Sequence, residues 1–200
     1  MPHRDMDQEL VGAAQAGGAR KVSKLLACGA NPRKKDSCAL RWAAHSGHVE
    51  CVRLLLPTSD PMAEDSYALR AASQNGHAEC VKMLLTVSDP KALDSQALKV
   101  AAKNGHEQCV RMLRAVSGPL GEIDGLLEKV FELGHAKVAA LMIEEEPGLL
   151  DGINLPKRLA EALKNSHADM ASYLSAIIDQ RALSGIDQNR PASRPVSARL

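Results

Sequence analysis

The chain has 200 residues, a formal net charge of +1, and 45% hydrophobic but only 2% aromatic residues. A near-neutral chain has no whole-chain attraction to nucleic acid or an anionic membrane. Its aromatics (Trp42, Tyr67, Phe131 and Tyr173) are too few for a base-stacking platform, so alanine and leucine must fill the core that a chain of this length can bury.

Met1–Gln8 is polar and lacks the apolar stretch of a classical secretory signal. Residues 1–7 read as a short tail. The first unit, 8–35, has Leu10, Ala13, Ala14, Gly17, Val22, Leu25 and Leu26, and ends in Gly29-Ala30-Asn31-Pro32. In the second, 36–64, Ser37 is expected to cap a helix carrying Leu40, Ala43 and Ala44. Gly47 turns the chain into a second helix with Val52, Leu55 and Leu56 on one apolar face. The third, 65–93, repeats this with an Asp65-Ser66 cap, Leu69, Ala71, Ala72, Gly76, Val81, Leu84 and Leu85, and stops at Ser88-Asp89-Pro90. The fourth, 94–122, has Ser95, Leu98, Ala101, Ala102, Gly105, Val110 and Leu113.

The fifth and sixth units, 123–152 and 153–179, are degenerate. Val130 and Phe131 replace the small pair in the fifth. In the sixth, Ser166 stands where glycine belongs, and a left-handed serine costs roughly 1–2 kcal/mol, so a changed turn is expected. Residues 180–200 read as a disordered basic tail with Arg190, Pro191, Arg194, Pro195 and Arg199.

Self-similarity is the strongest signal in the chain. Gly47, Gly76, Gly105 and Gly134 recur every 29 residues, each followed by a histidine, and Cys51, Cys80 and Cys109 keep the same interval. A fixed period of this size means stacked units that cannot bury their apolar faces alone. The expected fold is therefore all-α, a solenoid of about six helix-turn-helix units.

The Ala-Ala pairs, the Asn-Gly-His of Asn75–His77 and Asn104–His106, the Val-x-x-Leu-Leu runs and Gly29-Ala30-Asn31-Pro32 together resemble ankyrin repeats over roughly residues 8–175. The resemblance implies stacked antiparallel helix pairs and protein binding. Two departures stand out. The period is 29 where the family uses about 33, and Cys38-Ala39-Leu40-Arg41 and Tyr67-Ala68-Leu69-Arg70 replace the family's Thr-Pro-Leu-His. Short Ser-Asp-Pro loops are expected in place of projecting β-hairpins. Short repeats of this kind also resemble those of bacterial proteins, including candidate secreted effectors of host-associated bacteria.

The His-x-x-Cys pairs offer two metal ligands each where a structural zinc site needs four. Stacked helices lie about 8–10 Å apart, so neighbours could not share an ion. The cysteines read instead as small core hydrophobes, and the histidines as turn residues bonding across their own turn. No metal, cofactor or catalytic residue is expected. The chain lacks a nucleophile elbow and a glycine-rich phosphate loop, and Glu144-Glu145-Glu146 reads as a solvated helix end.

Five cysteines without a disulfide pattern suit a reducing compartment, hence a cytoplasmic location or delivery into a host cell. The expected function is non-enzymatic protein binding. An effector role in a host, or an enzyme in the divergent segment 120–179, is the alternative. Arg41, Arg70 and Lys99 form a basic row on the first helices, and with His45, Gln74 and Lys103 they are the expected partner-binding residues, suited to an acidic segment. Arg53, Lys82 and Arg111 form a second row, and Glu50 and Glu79 are placed to pair locally with its first two members.

Overall fold

The computed structural model describes residues 6–117 and 125–188. The chain divides between Asp151 and Gly152, which places the sixth helix pair in a unit of its own. The first unit holds α1 (Met6–Gln15), α2 (Ala19–Ala27), α3 (Lys34–His45), α4 (Val49–Leu55), α5 (Ala63–Gln74), α6 (Ala78–Leu84), α7 (Ala92–Lys103), α8 (Glu107–Ser117), α9 (Leu126–Leu133) and α10 (Ala136–Glu145), followed by a 3-10 turn at Pro147–Leu150. The second holds α11 (Leu155–Lys164) and α12 (Ala168–Gln188), which pack on each other. The described residues contain helices and no strand, so the short connectors expected in place of hairpins are present. Two boundaries drawn from sequence move. Helix α1 begins inside the stretch read as an N-terminal tail, and α12 runs past Asp179 to Gln188. The rest of the tail, 189–200, lies outside the described residues.

In the first unit the odd-numbered helices stand side by side in one row and the even-numbered helices in another. The alanine pairs sit between them: Ala14, Ala43, Ala44, Ala72, Ala101 and Ala102 are fully buried, as are Leu40, Leu69, Leu98, Leu55, Leu84 and Val81. Small residues at these places let the helices approach closely enough for a core poor in aromatics to close. Cys51, Cys80 and Cys109 are buried with them. Burial pushes the Cys80 and Cys109 thiols up to about 11 and raises Cys51 as well.

Each helix pair turns in the same way. The histidine N–H reaches back to the carbonyl five residues earlier, as His48 does to Ala43, His77 to Ala72, His106 to Ala101 and His135 to Val130. This is the six-to-one bond of a left-handed helix end. Ser166 makes the same turn in the second unit. It adopts φ 61°, and His167 N–H donates to the Ala162 carbonyl at 2.9 Å. The expected change of turn is not seen, because serine accepts the left-handed strain and the turn is kept.

The evenly spaced histidines do more than close their own turns. His48 Nε2 donates to the Gln15 carbonyl at 3.0 Å, His77 to His45 at 3.0 Å, His106 to Gln74 at 2.9 Å and His135 to Lys103 at 2.9 Å. A carbonyl only accepts, so Nε2 carries the proton in each ring. Each bond spans 32 or 33 residues. The side-chain bond expected across the same turn is therefore a stitch to the preceding helix pair. The glycine of that preceding turn makes room for the ring: a Cβ on Gly76 would lie 2.5 Å from His106 Nδ1.

The starts of α3, α5 and α7 differ from expectation. Lys35-Asp36-Ser37, Glu64-Asp65-Ser66 and Leu93-Asp94-Ser95 all have φ between 49° and 58°, a full left-handed turn before the right-handed helix begins. Ser37, Ser66 and Ser95 are buried and cap no helix of their own. The Ser37 hydroxyl instead accepts from the Asp60 N–H at 2.7 Å, and Ser66 from Asp89 at 2.9 Å. Asp7 plays this part for the first pair, accepting from Asn31 N–H at 2.6 Å and pairing with Lys34 at 2.9 Å. The Lys34 ammonium and the Asn31 amide hold the Asp7 carboxyl below its ordinary range. The first three connectors thus hang on the helix start of the unit before them.

Candidate protein-binding face

The row of first helices presents the residues singled out from sequence. Arg41 lies on α3, Arg70 on α5 and Lys99 on α7, all half-buried, while His45, Gln74 and Lys103 are exposed near the ends of the same helices. The row is not three equivalent free cations. Arg41 Nη1 lies 2.6 Å from Glu64 Oε1, and Arg70 Nη2 donates to the Glu64 carbonyl at 2.9 Å. Glu64 reaches both because it sits in the left-handed turn that opens α5. Among the described residues, Lys99 and Lys103 make no ion pair.

Sequence reasoning missed the aromatic half of this face. The Arg41 guanidinium lies 4.5 Å from the centre of the Tyr67 ring and that of Arg70 lies 5.3 Å from it. Contacts of this kind contribute about 0.5–1 kcal/mol at exposed sites. Trp42 meets His45 edge to face, with ring centres 5.6 Å apart. His45 is held in turn by Asn75, whose side-chain amide donates to His45 Nδ1 at 3.2 Å. Arg41, Trp42, His45 and Tyr67 line a cavity of about 100 Å³ that opens between α3 and α5. Trp42 and Tyr67 remain 38% and 36% exposed. The available signal was composition: two of four aromatics fall where the neighbouring repeats carry Ala71, Val100, Cys38 and Gln96.

The second row of cations behaves otherwise. Arg53 pairs with Glu50 at 3.4 Å, as the spacing suggested, and Arg111 pairs with Glu107 at 2.9 Å. No such pair forms between Lys82 and Glu79 among the described residues. A shallow groove of about 520 Å³ beside α4 and α6 is lined by Leu56, Pro57, Met83 and Val87 together with Arg53, Glu79, Lys82 and Thr86. Glu144-Glu145-Glu146 is not simply a solvated end. Arg114 Nε lies 3.2 Å from Glu145 Oε2, and its Nη2 pairs with Glu146, tying α8 to α10. No cluster of three or more potential metal ligands occurs among the described residues. Residues 126–145 and 155–188, which cover most of the segment held open for an enzyme, form two further helix pairs.

No described helix is long and apolar enough to cross a membrane. A search of curated proteins found no match. The family model for ankyrin repeats (3 copies) matches residues 10–94 and 59–119, more than half of the chain and all four of its first helix pairs. Ankyrin repeat domains are typically protein–protein interaction modules and generally non-catalytic. The stacked helix pairs, the glycine–histidine turns and this match together make the chain a member of the ankyrin repeat family.

Proposed function

We propose that the protein is a non-enzymatic binding module whose partner protein docks on the row of first helices, over Arg41, His45, Arg70, Gln74, Lys99 and Lys103. The observation that carries this reading is the cavity lined by Arg41, Trp42, His45 and Tyr67, whose two large rings are partly exposed and whose Tyr67 also carries Arg70. Tryptophan, tyrosine and arginine dominate binding hot spots because they bury much area with few rotors and still form polar contacts. Here the arginines are already fixed on Tyr67 and Glu64, so little side-chain freedom remains to be lost on binding.

The test is affinity capture from the native lysate with wild type and a Lys99→Glu/Lys103→Glu variant. These two lysines are chosen because Arg41 and Arg70 also support the fold through Glu64. Capture should fall by roughly tenfold while the thermal melt stays within about 0.5 kcal/mol of wild type. Capture unchanged both here and by Trp42→Ala would move the site off this row.

A further inference from the structure

The geometry points to the chemistry of the partner: an extended segment with one large apolar side chain, which fills the cavity between Trp42 and Tyr67, and a carboxylate four or five residues away, which meets Lys99 and Lys103. This inference rests on the binding face proposed above and adds what that face selects.

Three observations carry it. The cavity has aromatic walls at Trp42, Tyr67 and His45 and holds about 100 Å³, room for a single side chain and not for a helix. Its one cation, Arg41, is already neutralised by Glu64 at 2.6 Å. A carboxylate entering there would have to displace Glu64, so an apolar or aromatic side chain is the better occupant. Positive charge without a counter-charge lies farther along the row, on Lys99 and on Lys103 one helical turn beyond it. The cavity sits between α3 and α5, and these lysines sit on α7. With helices about 10 Å apart, the separation is about 15 Å. An extended chain rises about 3.3 Å per residue, so four or five residues span it. The order is also fixed: apolar anchor toward α3, acid toward α7.

The inference separates this face from a general acidic-peptide binder. An acidic segment without the anchor loses the cavity, and an anchored segment with a basic residue meets Lys99 and Lys103 as like charges.

The experiment is selection from a displayed library of random twelve-residue peptides on the full chain, with depletion on Trp42→Ala. Selected peptides should share an aromatic or large aliphatic residue followed or preceded by Asp or Glu at four or five positions. They should shift the fluorescence of Trp42, the single tryptophan of the chain. Lys99→Glu/Lys103→Glu should bind them roughly tenfold more weakly and should prefer the same peptides with Lys in place of the acid. A selected consensus that is neutral or basic, or one lacking the anchor, overturns the inference, as does failure of the double variant to reverse the charge preference. Failure to enrich any peptide over the Trp42→Ala depletion overturns it too. Lysate capture that is lost on Trp42→Ala while the consensus is not acidic leaves the binding face standing and removes only the partner chemistry. Capture indifferent to both variants removes the face itself.

Discussion

At the scale of single residues, the glycines and the serines are held by opposite demands. Gly76 needs a positive φ of 74° and also space for the His106 ring. A Gly76→Ala variant meets both penalties, and the left-handed conformation alone costs about 1–2 kcal/mol. We expect a loss of at least about 2 kcal/mol in reversible denaturant melts. Ser166 bears the same strain without the benefit of glycine, so Ser166→Gly is expected to gain about 1 kcal/mol. The two substitutions should therefore have opposite signs at matching turns. Ser66→Ala removes the acceptor of the Asp89 N–H and should cost about 1–2 kcal/mol. The turn glycines and the strain at Ser166 were legible from the period, but the role of Ser66 was not. An Asp-Ser pair ahead of an apolar run reads as a helix cap, and only the packed connector shows that the hydroxyl serves a backbone amide 23 residues later. The histidine stitch escaped for the same reason, since the spacing fixes where a ring starts but not which helix pair it leans on.

At the scale of the helix pair, the core positions were plain from the period. Leu84 is fully buried on α6, and Leu84→Ala should cost about 2–5 kcal/mol. The cysteines of α4, α6 and α8 are equally enclosed. Native protein should react quickly with a thiol reagent only at Cys28 and Cys38, with Cys51, Cys80 and Cys109 reacting upon unfolding. Fast labelling of a buried position would mean that its helix opens readily. The first helix pair carries a pH dependence. The Asp7 carboxyl is held down by its hydrogen bond to Lys34 and by the Asn31 amide, so its folded value lies below its unfolded one. Its contribution is complete above the ordinary carboxylate range and is lost as pH falls through the lowered folded value. Asp7→Asn should lower the melting temperature near neutrality, and the gap from wild type should shrink in acid. What the period could not supply was the cavity beside Trp42. A repeat analysis reads what recurs, and Trp42 and Tyr67 are residues that occur once in their columns.

At the scale of the whole molecule, the short repeat decides which surfaces the first unit presents. Connectors bound back onto Ser37 and Ser66 replace projecting hairpins among the described residues. The helical faces are then the extended surfaces of the first unit. The first-helix face carries the fixed arginines, the aromatic cavity and Lys99 and Lys103, whereas the other offers two locally paired arginines, Lys82 and the shallow groove at Met83. The central claim is that partners use the former. Its most direct test is quantitative capture of the native partner by wild type, Trp42→Ala and Met83→Ala at matched folded fractions. The account predicts that Trp42→Ala loses roughly tenfold or more in affinity while Met83→Ala stays at wild-type level. Loss of capture on Met83→Ala with full capture by Trp42→Ala would contradict it.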